Sequence, residues 1–250
     1  MAICHVRNID IGEGKPKICL PIVGKNDEEI LTQAKSFQTF QYDLVELRID
    51  FYENIHQHQQ VISLLQQLRG ILDCPVLLTY RSLKEGGHIQ LCDKDYLSLV
   101  KIACESGLID LIDIELMSGN ELVFQLVEIA HQYQIKVIMS NHDFDKTPTI
   151  LDMKERLEKM DILGGDILKI AVMPHSYKDV INLLNMTMDM SQRLNKPIVT
   201  MSMGELGVIS RICGELTGSA ITFACATQAS APGQIAVEDM NLLLEAIHHD

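Results

Sequence analysis

Read for hydrophobic and polar positions, the chain shows short apolar runs alternating with longer stretches of helical periodicity. Ile3 to Ile11 alternates weakly and turns at Gly12-Glu13-Gly14, which predicts a β-hairpin over residues 1–14 that caps the fold without forming a domain. Lys17 to Gly24 is then a compact apolar strand, and Asn26-Asp27-Glu28-Glu29 opens a helix with acids where its dipole favours them. The same unit recurs as Asp43–Arg48 before a helix ending near Leu68, Pro75–Arg81 before Leu97–Cys104, and Leu108–Leu116 before Leu122–Tyr133. Ile135–His142 precedes a helix that Thr147 as N-cap and Pro148 at the first helical position are expected to start. Ile167–Ala171 precedes a helix running through Tyr177, Ile181, Leu184 and Met188. Pro197–Met203 is followed by a helix near Glu205 to Cys213, and Ser219–Ala224 by a last helix over Val237–Ile247.

Eight strand-plus-helix units without a Pro-, Gly- or Ser-rich linker predict a parallel sheet covered by helices. The expected fold is α/β, a closed (β/α)8 TIM barrel in one domain over residues 1–250, in preference to an open doubly wound sheet. No close sequence repeat is visible. The methionines at 186, 188 and 190, and those between 153 and 160, read as helix-face packing.

Composition narrows the function. A hydrophobic fraction of 47% supplies a core, and no apolar run is long enough to span a bilayer. The formal charge of −13 argues against nucleic-acid and membrane-surface partners, leaving a small molecule, anionic if arginines converge locally. The N-terminus lacks the pattern of a signal peptide, and the seven dispersed cysteines form no C-x-x-C pair, so reduced thiols and a cytoplasmic location are expected.

Lys169 in Gly164-Gly165-Asp166-Ile-Leu-Lys-Ile-Ala171 is the residue the apolar pattern does not explain, because a buried ammonium costs several kcal/mol unless paired or neutralised. Two readings are open: a structural cation that snorkels or pairs, and an amine kept partly neutral by burial and cationic neighbours, able to attack a ketone. Polar residues at the other strand ends bear on the choice. Glu46 and Arg48 share one face of their strand, as do Thr79 and Arg81, and Asp113 and Glu115. Glu46 with Arg48 reads equally as a binding site or as an ion pair closing the barrel. Ser82 to Gly87 forms a loop able to carry Glu85 over the mouth. Glu46, Asp113, Glu115 and a histidine would form a site for Mg²⁺ or Mn²⁺, although the nearby arginines compete for the same carboxylates. Ser140 and His142 end the fifth strand, and His142 beside Lys169 is a candidate proton shuttle. Met201 and Met203 are apolar walls, Arg211 follows in Ser210-Arg211, and Ser230-Ala231-Pro232-Gly233-Gln234 suits a lid over a polar ligand.

Glu46-Leu-Arg48, Arg81 with Glu85-Gly-Gly87, Ser140-Asn-His-Asp-Phe144 with Thr147-Pro148, Asp166 to Ala171, Met203-Gly204 through Ser210-Arg211, Gly218-Ser219 with Thr222-Phe223, and Ser230 to Gln234 together resemble type I 3-dehydroquinate dehydratases over nearly the whole chain. The resemblance implies a hydro-lyase of the shikimate pathway, leading to chorismate and the aromatic amino acids, that converts 3-dehydroquinate to 3-dehydroshikimate by syn elimination. It makes Lys169 the Schiff-base nucleophile, His142 the general base and acid, and Glu85 the residue that orients His142. Arg211 would take the substrate carboxylate. Glu46, Arg48, Arg81, Ser230 and Gln234 would bind hydroxyls or order the site, with Met201, Met203, Phe223 and Ala231 as its apolar wall. No cofactor and no metal is implied, since the iminium itself is the electron sink. A homodimer is implied. Three other readings stand beside it: a Schiff-base aldolase, a metal-dependent lyase built on Glu46, Asp113, Glu115 and His142, and a barrel that only binds a metabolite.

Overall fold

In the computed structural model, which describes residues 2–226 and 231–248, strands β1 (Cys4–Val6) and β2 (Ile9–Ile11) pair antiparallel as the expected hairpin. The barrel then runs β3 (Lys17–Ile22), α1 (Asp27–Ser36), β4 (Leu44–Arg48), α2 (His58–Arg69), β5 (Val76–Thr79), α3 (Asp93–Glu105), β6 (Leu111–Glu115) and α4 (Asn120–Gln132). It continues with β7 (Lys136–Asp143), α5 (Ile150–Ile162), β8 (Ile167–Val172), α6 (Tyr177–Arg193) and β9 (Ile198–Ser202). The short turns α7 (Ile209–Ile212) and α8 (Gly214–Thr217), β10 (Ile221–Phe223) and α9 (Val237–Ile247) complete it. The eight strands β3 to β10 are parallel, in the order β10-β3-β4-β5-β6-β7-β8-β9. No helix among the described residues is long and apolar enough to cross a membrane.

The sheet closes between β9 and β10 through Ala220 N–H to Ile198 O at 2.7 Å and Thr200 N–H to Ser219 Oγ at 3.0 Å. That side-chain bond belongs to a pattern. Asp43, Asp110 and Asp166, each immediately before an even-numbered strand, accept the backbone N–H of Ile18, Val76 and Val137 at 2.7, 2.8 and 2.9 Å. Paired starts are thus tied together around the N-terminal rim, where a short carboxylate satisfies donors that the staggered ladder leaves open.

Within the barrel the inward positions change character with height. The lowest level is apolar, with Leu44, Leu77, Leu111, Ile138, Ile167 and Val199, and the hairpin residues Cys4, Val6 and Ile11 plug it from below. Each buried Leu or Ile there contributes about 2 kcal/mol of transfer free energy. One step higher come Glu46, Thr79, Asp113, Ser140 and Lys169, and above them Arg48, Arg81, Glu115 and His142. Residues between them point outward into the helix layer, as Val45, Leu47, Ile112, Ile114, Leu168 and Ile170 do.

Three local expectations are corrected. Helix α5 is not capped by Thr147: its N-cap is Thr149, whose Oγ1 accepts Asp152 N–H at 3.1 Å while Asp152 Oδ2 accepts Thr149 N–H. A capping box needs an acid three residues on, which Thr149 has and Thr147 lacks; Thr147 Oγ1 instead donates to Met173 O. In α6 the packed face is Val180, Leu183, Met186, Thr187 and Met190, whereas Tyr177, Ile181 and Met188 are exposed. Met188 is therefore not a packing residue, since its neighbours at positions 186 and 190 lie on the other side of the helix. The helix expected near Glu205 to Cys213 is a 3-10 turn, Glu205–Gly207, followed by α7.

Candidate active site

Glu46, Arg48, Arg81, His142 and Lys169 of the upper two levels line a cavity at the C-terminal mouth. Lys169 is 3% exposed and enters from β8. Its Nζ lies 3.4 Å from Asp113 Oδ2 and 4.4 Å from the centre of the Phe223 ring. Its strand partner on β7 is Ser140; His142 stands opposite Ala171, one level nearer the mouth.

Arg81 organises the carboxylates. It donates from Nη2 to Asp113 at 2.8 Å and from Nη1 to Glu115 and Ser140 at 2.9 and 3.0 Å. Burial alone would weaken its hold on its proton, but Asp113, Glu115 and Glu85 together more than reverse this. Asp113 is fully buried, which opposes its charge, yet Arg81, Lys169 and a 2.6 Å bond from Ser140 Oγ keep it below the usual carboxylate range. Arg48 is held from the side by Asp50, with two bonds of 2.8 Å, and lies over the Phe51 ring. Glu46 Oε1 accepts Thr79 Oγ1–H at 2.8 Å.

The loop after β5 brings Glu85 inside instead of leaving it as a mobile flap. Gly86 takes φ +82°, and Gly87 lies so close to the Arg81 carbonyl that a Cβ would sit 1.8 Å from it, so the turn requires this glycine pair. Glu85 is thereby buried, and its Oε2 accepts His142 N–H and faces His142 Nδ1, both at 2.9 Å. Burial and the neighbouring Glu115 push the Glu85 carboxyl up to about 8, against Arg81, Asn141 and the His142 amide. Burial, followed by the charges of Arg81, Lys169 and Arg48, pushes His142 well below its ordinary value. The two 2.9 Å contacts join Glu85 and His142 into one hydrogen-bonded unit.

Arg211 is the opposite case. It is 2% exposed, it donates to the carbonyls of Phe223 at 3.4 Å and Pro232 at 2.8 Å, and its Nε has no partner among the described residues. No carboxylate faces it among the described residues, and burial pulls its pKa down to about 10. A guanidinium in that position remains charged at neutral pH and is suited to pairing with an anion.

Arg211, Gln234 and the apolar residues Met201, Met203, Phe223 and Ala231 all line the cavity, together with Glu46, Arg48, Arg81, Glu85, His142 and Lys169. Ser230 lies outside the described residues. Three lining residues stand in the motifs of the sequence but were not assigned to the site there: Gly86, Phe144 and Ala171. Asp50 was not assigned either, although an acid inside the apolar turn Ile49–Phe51 was a visible anomaly. The metal reading is corrected. Asp113 and Glu115 both face Arg81, and His142 Nδ1 faces Glu85. Among the described residues no three His, Cys, Asp or Glu side chains are placed to share a cation.

Fold and site define a (β/α)8 barrel whose polar, lysine-centred pocket opens at the C-terminal ends of its strands, where such barrels carry their chemistry. The family described as Type I 3-dehydroquinase matches residues 18–250. The 3-dehydroquinate dehydratase of Clostridioides difficile is 46% identical over 246 residues, 98% of this chain and 96% of its own. A crystal structure of the type I enzyme from Clostridium difficile superposes with a TM-score of 0.96 at 46% identity, covering 99% of both chains. The 3-dehydroquinate dehydratase structure from Geobacillus kaustophilus gives 0.95 at 39% identity, covering 98% of this chain and 96% of its own. The chain belongs to the type I 3-dehydroquinase family.

Proposed function

We propose that this chain dehydrates 3-dehydroquinate to 3-dehydroshikimate in the shikimate pathway, through an imine on Lys169. Family membership supports the reaction. The observation that carries the site assignment is a buried amine in the same cavity as a hydrogen-bonded His142–Glu85 pair and a guanidinium that no carboxylate faces among the described residues. In this reading Arg211 takes the substrate carboxylate in the fork its open donors form. Lys169 Nζ adds to the C3 carbonyl and the resulting carbinolamine loses water, leaving a cationic iminium. His142 removes a proton from C2, the electron pair passes into the iminium to give an enamine, and the C1 hydroxyl leaves as water with a proton returned by the same imidazole. Hydrolysis of the conjugated iminium frees product and lysine.

Asp113 and the Phe223 ring both favour positive charge at the position of Nζ, so they favour the cationic iminium. Asp50, Thr79, Arg81 and Ser140 hold the remaining polar groups in place. The unpaired thiols support a reducing, cytoplasmic setting, and the exposed apolar stripe of Tyr177, Ile181 and Met188 on α6 supports a homodimer.

Borohydride added during turnover of 3-dehydroquinate should trap a covalent adduct on the peptide containing Lys169; an unmodified mass would remove the imine from the mechanism. Arg211→Ala should raise KM roughly hundredfold, because an anion is left without its buried partner. Near-normal KM in that variant would take the carboxylate away from Arg211.

A further inference from the structure

Glu85 has a second contact, away from the pocket. Its Oε1 accepts Asn141 Nδ2–H at 3.1 Å, and Asn141 Oδ1 in turn accepts Arg156 Nη1–H at 2.6 Å from α5. Asn141 is 4% exposed and Arg156 reaches it from the helix layer, with Asp143 Oδ2 4.0 Å from the guanidinium. Asp143 Oδ1 is itself fixed by the backbone N–H groups of Asp145 and Lys146. At 4.0 Å the contact with Asp143 is loose, so the 2.6 Å bond to Asn141 is the one that fixes Arg156.

The chain of bonds has a direction. A guanidinium only donates, so the oxygen end of the Asn141 amide must face Arg156 and its NH₂ end must face Glu85. Glu85 Oε1 is thereby held as an acceptor and cannot carry a proton into that contact. Any proton on the carboxyl is confined to Oε2, the oxygen that faces His142 Nδ1. Without Arg156 the amide is free to turn over and offer its carbonyl to Oε1. A proton could then settle between Asn141 and Glu85, outside the pair that uses it.

We propose that Arg156, acting through Asn141, is a positioning residue that confines the proton of the acid–base pair to the bond between Glu85 Oε2 and His142 Nδ1. This rests on the assignment of His142 as the acid–base group of the reaction. Arg156 touches neither substrate nor lysine, so its removal should lower kcat and spare binding.

The test is kinetic. Arg156→Met should lower kcat roughly tenfold, a fraction of what a positioned acid–base group supplies, with KM within twofold of wild type. Arg156→Lys, which keeps a donor-only cation, should recover most of the loss. In a Glu85→Gln background, Arg156→Met should have no further effect, because the ambiguity it introduces no longer exists. Asn141→Asp gives a second route if Arg156→Met does not fold: it keeps the pairing with Arg156 but turns an acceptor toward Glu85, and the same loss of kcat is expected. Unchanged kcat in the folded variants, a rise in KM instead, or an equal fall in the Glu85→Gln background would overturn the proposal. Borohydride trapping on the same proteins separates the two readings. An adduct on Lys169 with null results at Arg156 refutes the positioning role alone, whereas no adduct in the wild type refutes the mechanism beneath it.

Discussion

Lys169→Ala is expected to lower kcat by about 10⁴-fold or more, on the scale seen when an enzyme loses its nucleophile, and to abolish the borohydride adduct. The size of the effect follows from what is left. His142, Glu85 and Arg211 would still bind and move protons, but C2 would have to be deprotonated beside a ketone instead of a cationic iminium. The substitution should not unfold the barrel. Asp113 would keep the Arg81 contact at 2.8 Å and the Ser140 contact at 2.6 Å, so no buried carboxylate is stranded. A thermal melt close to that of the wild type, together with the lost adduct, would assign the effect to chemistry. Turnover within tenfold of wild type would show that the reaction does not pass through this lysine.

The barrel was legible because its strands are apolar on the outward face and its helices amphipathic, a pattern that depends only on local sequence. The site was legible for a related reason. Glu46, Arg48, Arg81, His142 and Lys169 interrupt apolar strands at inward positions, where the pattern alone calls for Val or Ile. What those residues touch was less accessible. Asp113 could be placed inside the barrel but not assigned to Arg81 and Lys169 rather than to a metal, because that choice depends on register between strands 30 to 60 residues apart. The link from Asn141 and Arg156 to Glu85 is of the same kind, since it exists only once the fold brings Arg156 of α5 within reach of Asn141 on β7. Thr149 is the contrasting case: its capping box with Asp152 is local and was legible in the sequence.

His142→Ala is expected to lower kcat about 10³-fold, within the range contributed by a positioned general acid–base group, while leaving an adduct on Lys169 still trappable by borohydride. The separation arises because the amine and the imidazole stand on adjacent strands at different heights, Lys169 opposite Ser140 and His142 opposite Ala171. In the proposed mechanism one forms the bond to C3 and the other serves C2 and the hydroxyl at C1. The pH profile gives a second reading. Glu85 is raised by burial and Glu115 from the usual carboxylate range to about 8, so the pair keeps its proton through neutral pH and gives it up as pH rises through that value. Steps that need an acid should therefore slow above about pH 8, giving kcat/KM, which reports the free enzyme, a basic limb there, and no limb should arise from the pair at its lower ordinary carboxylate value. In His142→Ala the proton can no longer reach the substrate, so this limb should disappear along with the rate. An undiminished kcat, or a limb near pH 8 that persists in the variant, would assign the proton transfers to another group.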